Sequence, residues 1–107
     1  MRNTQNIPIQ GTDFEKAVWA ELAKIPQGRV VTYSYIAQQI GKPRAIRAVA
    51  SAVRKNPFPI AIPCHRVVPK NGLVGKYSGP GGVAGKIKLL TDEGVIIKDG
   101  MIVTTYA

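Results

Sequence analysis

Two helix-forming stretches, Tyr33 to Ile40 and Arg44 to Lys55, are separated in this chain by little more than Gly41-Lys42-Pro43. Thr32 is placed to cap the first and Gly41 to end it, while Ile46, Val49, Ala50 and Val53 recur at helical spacing and mark the buried face of the second. A connection that short leaves the two helices packed against each other, which is the helix-turn-helix pattern. Ala45, Ala48, Ala50, Ser51 and Ala52 give the second helix a slim profile. Slimness lets a helix lie close to a nucleic-acid groove, and it suits tight helix packing equally well.

The remaining elements are read in chain order. Residues 1–11 lack periodicity and are expected to form a flexible arm, with one domain over 12–107. Thr12-Asp13-Phe14-Glu15 fits a capping box that opens a helix carrying Phe14, Val18, Leu22 and Ile25 on one stripe, ended at Pro26-Gln27-Gly28. Trp19 beside that stripe is read as packing and not as a base-stacking platform. Arg29-Val30-Val31 is a short β segment, and Pro57, Pro59 and Pro63 frame the approach to Cys64, so the cysteine is expected on an extended, stiffened segment. Val67-Val68 and Leu73-Val74, with Asn71-Gly72 between them, predict a small hairpin. A helix follows from about Val83 to Asp92, and a last hairpin turns at Asp99-Gly100.

Charge narrows the partners. Over 107 residues, 15 Lys and Arg stand against 6 Asp and Glu, a formal charge of +9. No acidic residue occurs from position 22 through position 91, whereas Lys42, Arg44, Arg47, Arg54 and Lys55 crowd one segment. Such segregation favours a polyanion-binding face over a mixed solvated surface. No apolar run approaches the ~20 residues that span a bilayer, so a soluble, intracellular protein without membrane contact is expected.

Cys64 is the only cysteine and His65 the only histidine. A lone cysteine forms no internal disulfide, and one Cys with one His falls short of a structural zinc site, so neither a staple nor a metal is expected. The thiol is then either a small buried hydrophobe or a nucleophile. The neighbours His65, able to take a proton, and Arg66, favouring the thiolate, support the second.

Taken with its surroundings, the chain resembles the DNA-binding and active-site domain of the O6-alkylguanine-DNA alkyltransferases. The resemblance runs from Gly11-Thr12-Asp13-Phe14 to Glu93-Gly94 and takes in Val18-Trp19, Tyr33, Arg47-Ala48-Val49, Asn56-Pro57, Ile62-Pro63-Cys64-His65-Arg66-Val67-Val68, Gly75, Tyr77-Ser78-Gly79 and Leu89-Leu90. It implies a mainly α domain with small β elements, a winged helix-turn-helix-like DNA-binding domain. It also implies a suicide reaction in which Cys64 takes the alkyl group from O6-alkylguanine, with O4-alkylthymine as a further candidate. Cys64 resembles the acceptor, His65 its base acting through a water, Glu93 the carboxylate that orients the histidine, and Asn56 the hinge residue. Tyr33 resembles the tyrosine that helps rotate the nucleotide. Arg47 resembles the arginine that fills the stack, with Arg44, Ala45 and Ser51 on the same DNA-facing helix; Val67, Tyr77, Ser78 and Gly79 line the lesion pocket.

The implied partner is double-stranded DNA containing O6-alkylguanine, without cofactor. The protein is expected as a monomer, alone or fused to or working with another repair protein, in the cytoplasm with the nucleoid or in a nucleus. A rival within the same fold is an alkyltransferase-like damage-binding protein that flags the lesion without reacting. Such proteins characteristically replace the acceptor cysteine, and Cys64 is present here. A plain winged-helix regulator would leave Pro63-Cys64-His65-Arg66 unexplained.

Overall fold

The computed structural model describes residues 11–103, so the expected arm at 1–11 lies outside the described residues except for Gly11. Helix α1 spans Asp13–Leu22, with the full capping box in place: Glu15 N donates to Thr12 Oγ1 at 3.0 Å and Thr12 N to Glu15 Oε1 at 2.9 Å. Strand β1 is Val31–Thr32 and runs directly into α2, Tyr33–Gln39, capped as expected by Thr32 Oγ1 accepting from Tyr35 N at 3.1 Å.

Helix α3 covers Ile46–Arg54. It begins with the first of its periodic apolar residues and not at the expected Arg44, and Ala45 at the N-cap offers no side-chain acceptor for the first free N–H groups. Arg44 and Ala45 therefore belong to the turn. Val49, Ala52 and Val53 of α3 pack with Val18 and Leu22 of α1 and with Ile36 of α2. Trp19, 3% exposed, donates from Nε1 to Ala52 O at 2.9 Å and ties α1 to α3, so it is core as expected.

Cys64–Arg66 form one 3₁₀ turn, not the extended stretch expected from the prolines. Pro63 at φ −78 and ψ 67 starts the turn, which Arg66 N closes on Pro63 O at 3.0 Å. Strand β2, Val67–Val68, follows at once. The expected hairpin with Leu73-Val74 does not form. Instead β2 pairs in parallel with β1, Val31 opposite Val67 and Thr32 opposite Val68. Both valines of β2 are wholly buried, and a strand covered on its two faces is the situation of parallel pairs.

Side chains alternate across such a ladder. Val31 and Val67 thus enter the larger core between the first three helices, while Val30 and Val68 enter a second core with Leu90 and Val95. Helix α4, Gly82–Asp92, and the hairpin of β3, Ile97–Lys98, with β4, Met101–Ile102, cover that second core. Leu73-Val74 joins the edge of this hairpin, with Val74 N on Gly100 O at 3.2 Å and Ile102 N on Gly72 O at 2.8 Å. The domain is mainly α with small β elements around a helix-turn-helix. Among the described residues no helix is long and apolar enough to cross a membrane.

Candidate active site

The 3₁₀ turn sits at the junction of α1, β2 and α4, and it presents three consecutive side chains with different surroundings. Cys64 is 4% exposed, and burial pushes its thiol up from the ordinary value, with the Asn56 side chain and the Lys86 ammonium pulling the other way. His65 is fully buried. Its Nε2 lies 2.9 Å from Glu93 Oε2, at the C-terminal end of α4. Its Nδ1 has no partner among the described residues. With a carboxylate accepting at Nε2, the proton resides there and Nδ1 carries the free lone pair.

Arg66 fixes the carboxylate from the other side. Nε and Nη2 donate to the two oxygens of Glu93 at 2.9 and 2.8 Å, a bidentate pair, while Nη1 donates to Ile25 O beyond α1 at 2.7 Å. Burial alone would raise the Glu93 carboxyl, but the hydrogen bonds from Arg66 and His65 outweigh it and hold the group below its ordinary value. Burial also lowers the imidazole of His65, and the pull of Glu93 only partly offsets this. Neutral His65 beside ionised Glu93 is the state the fold favours.

Both shifts have the same consequence for stability. A histidine whose folded value is depressed supports the fold fully above its unfolded value of about 6.5 and less as pH falls below it. A depressed carboxyl adds a loss at still lower pH, as pH drops through the folded value of Glu93. The melting temperature is therefore expected to decline from pH 7 towards pH 4, beginning near 6.5. A melting temperature unchanged between pH 7 and pH 5 would show that His65 does not resist protonation.

Asn56, 7% exposed at the end of α3, spans the segment before the thiol. Its Nδ2 donates to Ile62 O at 2.7 Å and its Oδ1 accepts from Phe58 N at 3.0 Å. Tyr77 packs on the larger core, its ring edge-on to His65 at 6.5 Å between centroids. Burial, then the neighbouring Cys64, pushes the Tyr77 phenol up to about 12, and its buried hydroxyl has no partner among the described residues. Gly79 lies against that ring, and a side chain there would collide with the Tyr77 hydroxyl. Ser78 is exposed and donates from Oγ to Arg54 O at 3.1 Å, so the pocket loop is fastened to α3.

Cys64, His65, Glu93, Asn56, Val67 and Tyr77 are thus brought together, with Tyr33 half-buried against the same core. Arg44, Arg47, Ala45 and Ser51 lie apart from them, on the turn and outer surface of the helix-turn-helix, with both arginines exposed. A cleft of about 240 Å³ is lined by Tyr33, Ala50, Arg54, Pro69, Gly75 and Lys76. Two residues escaped the sequence reading. Arg54 reads in the sequence as one charge among several, and Lys86 carries no local signal, although its place one turn before Leu90 puts it on the buried stripe of α4. Among the described residues no three His, Cys, Asp or Glu side chains gather as a metal site would need.

Comparison with known proteins bears on this arrangement. Residues 13–95 match the family described as 6-O-methylguanine DNA methyltransferase, DNA binding domain. The methylated-DNA–protein-cysteine methyltransferase of Shigella flexneri is 45% identical over 87 residues, 81% of this chain and 50% of that protein. The crystal structure of Mycobacterium tuberculosis OGT in complex with DNA has a TM-score of 0.75 at 45% identity, covering 78% of this chain and 51% of the other. That of S. pombe Atl1 in complex with damaged DNA containing O6-carboxymethylguanine has a TM-score of 0.71 at 32% identity, covering 84% and 83%. The chain spans about half the length of the curated relatives it matches. With the helix-turn-helix, the buried thiol turn and a match over residues 13–95, the chain belongs to the 6-O-methylguanine DNA methyltransferase family, within its DNA-binding domain.

Proposed function

We propose that this protein repairs alkylated DNA directly, moving the alkyl group from O6 of a flipped guanine onto Cys64 in a single, irreversible turnover. The observation that carries the reading is the free, buried Nδ1 of His65, the residue that follows the lone cysteine in the 3₁₀ turn, its opposite nitrogen held by Glu93 at 2.9 Å. His65 Nδ1 takes the thiol proton, directly or through one water, and the resulting imidazolium is stabilised by the Glu93 carboxylate. The thiolate sulfur attacks the alkyl carbon, the S–C bond forms as the C–O6 bond breaks, and the electron pair leaves on guanine. Asn56, through its bonds to Ile62 and Phe58, holds the nucleophile's segment in place.

A base inside a duplex cannot reach a thiol that is 4% exposed, so it must leave the stack, at a cost of roughly a few kcal/mol. The exposed Arg47 on α3 is suited to fill the gap, with Arg44, Ala45 and Ser51 against the groove and Tyr33 beside the cleft. Val67, Tyr77, Ser78 and Gly79 supply the pocket. The test is intact-mass spectrometry after incubation with duplex DNA carrying O6-methylguanine: a gain of one methylene on the peptide of Cys64, one per lesion, is expected. Unchanged protein mass with the lesion still bound would instead favour damage recognition without transfer, a reading motivated by the similarity to the Atl1 complex.

The flipping role separates by substrate. Arg47→Ala is expected to slow repair in duplex DNA by about tenfold, equivalent to ~1.4 kcal/mol of barrier. Reaction with free O6-benzylguanine, which needs no extrusion, should change little. Equal losses on the two substrates would remove Arg47 from base flipping.

A further inference from the structure

Asn71-Gly72, the dipeptide expected to turn a hairpin between β2 and Leu73-Val74, lies instead in a turn with Asn71 exposed. No other asparagine in the chain precedes a glycine: Asn3 is followed by Thr4, Asn6 by Ile7, and Asn56 by Pro57, whose nitrogen carries no hydrogen. The turn itself asks for Gly72, since its φ is 87° and a Cβ there would meet Met101 Cε at 3.2 Å. The same geometry favours a reaction between the two residues. Asn71 Oδ1 accepts from Leu73 N at 3.0 Å, an Asx turn that folds the carboxamide forward over the Gly72 peptide. Gly72 N donates to Pro69 O at 3.4 Å, longer than an ordinary N–H···O bond, so little opposes the loss of its proton.

We propose that Asn71 is a site of spontaneous deamidation, closing a succinimide with Gly72, and that the isoaspartate it yields unfastens this turn from the C-terminal hairpin. The deprotonated Gly72 nitrogen attacks Asn71 Cγ; the new N–C bond forms, the bond from Cγ to the amide nitrogen breaks, and ammonia leaves with the proton that Gly72 N gave up. Water then opens the ring at either carbonyl, giving aspartate or isoaspartate. Charge that develops on Oδ1 during the attack is met by the Leu73 N–H that already bonds there. An isoaspartate carries the chain through its side-chain carbon and lengthens the backbone by one methylene just ahead of Gly72. That glycine's carbonyl is where Ile102 N of β4 bonds, at 2.8 Å, and the next residue, Leu73, bridges to Met101. Either product also places a carboxylate in a stretch, 22–91, that has none, and removes one unit from the formal charge of +9. Asp99-Gly100 faces the same turn, with Val74 N on Gly100 O at 3.2 Å, but it must expel an oxygen and not ammonia, so Asn71 reacts first.

The test follows the purified chain through incubation at neutral pH, by peptide mapping with mass spectrometry and by labelling with an isoaspartate-specific methyltransferase. Replacement of NH by O on the peptide of Asn71 is expected, mostly as isoaspartate, at no less than about one-tenth the rate in a free peptide of residues 66–78. Isomerisation at Asp99 is told apart because it leaves the mass unchanged. Asn71→Gln, whose longer side chain closes a less favourable ring, should give no product in the same time. Cation exchange then isolates the deamidated protein, and NMR hydrogen exchange at the Ile102 amide is expected to run at least about tenfold faster than in fresh protein. Asn71→Asp, which has the charge and an unaltered backbone, should exchange as wild type does. Conversion slower than one-tenth of the peptide rate overturns the modification site without any variant, as does equal conversion at position 71 in the Gln protein. Isoaspartate protein whose Ile102 amide exchanges as before overturns the release, and so does equal acceleration in Asn71→Asp, which would assign the effect to charge. None of these readings involves DNA or the thiol, so they stand whether or not Cys64 accepts an alkyl group.

Discussion

Cys64→Ala is expected to remain folded, to bind duplex DNA with near wild-type affinity, and to take up no alkyl group at all. Cys64 is the only cysteine in the chain, so no second thiol can replace it. Its truncation removes one buried heavy atom from the larger core and costs on the order of 1 kcal/mol, far less than unfolding requires. Binding is separable because the exposed arginines lie on the helix-turn-helix, away from the 3₁₀ turn. Intact mass and gel shift on the same sample check both halves. A mass gain in the folded Cys64→Ala protein would place the acceptor elsewhere and refute the mechanism.

The second large effect is on stability. Asn56→Ala deletes two hydrogen bonds of a side chain that is 7% exposed, leaving the Phe58 N–H without its partner and the Ile62 carbonyl with Cys64 N alone. A hydrogen bond contributes about 0.5–1.5 kcal/mol net and a stranded group costs about 1–3 kcal/mol, so a loss of roughly 1–3 kcal/mol is expected. In a domain of this size that lowers the melting temperature by about 5–15 °C. The thiol loses the largest of the three influences that favour its ionisation, and the pH profile of its reaction with iodoacetamide should move to higher pH as well. A melting temperature within about 2 °C of wild type would show that water satisfies the Phe58 N–H, and that Asn56 is not the brace described here.

What the sequence made legible follows the range of its signals. Thr12 with Glu15, Thr32, Gly41 and Asp99-Gly100 act over a few residues, and each helix start or hairpin they predict is found. The β1–β2 pairing has no local signal, since two valines beside two valines read equally well as half of a hairpin. Their true partner was decided by burial on both faces. Helix α3 starts at Ile46 and not at Arg44, where neither a capping acceptor nor an apolar periodic residue marks a boundary. At the site, Cys64, His65 and Glu93 were readable through the family resemblance, and the fold puts His65 and Glu93 in contact. Lys86 stayed invisible because a lysine in a helix reads as solvated until the packing around it is known.

The two-residue ladder between Val31-Thr32 and Val67-Val68 also has a kinetic meaning. It closes a loop from residue 31 to residue 67 that contains α2, α3, Asn56 and the thiol turn. The helix pair inside that loop rests on short-range contacts and can assemble early, whereas the ladder must first meet the entropy of closing the loop. Cys64 lies three residues before the closing strand, so its environment comes into being only at that late step. A nascent chain is therefore expected to build its helix-turn-helix before it buries its single cysteine.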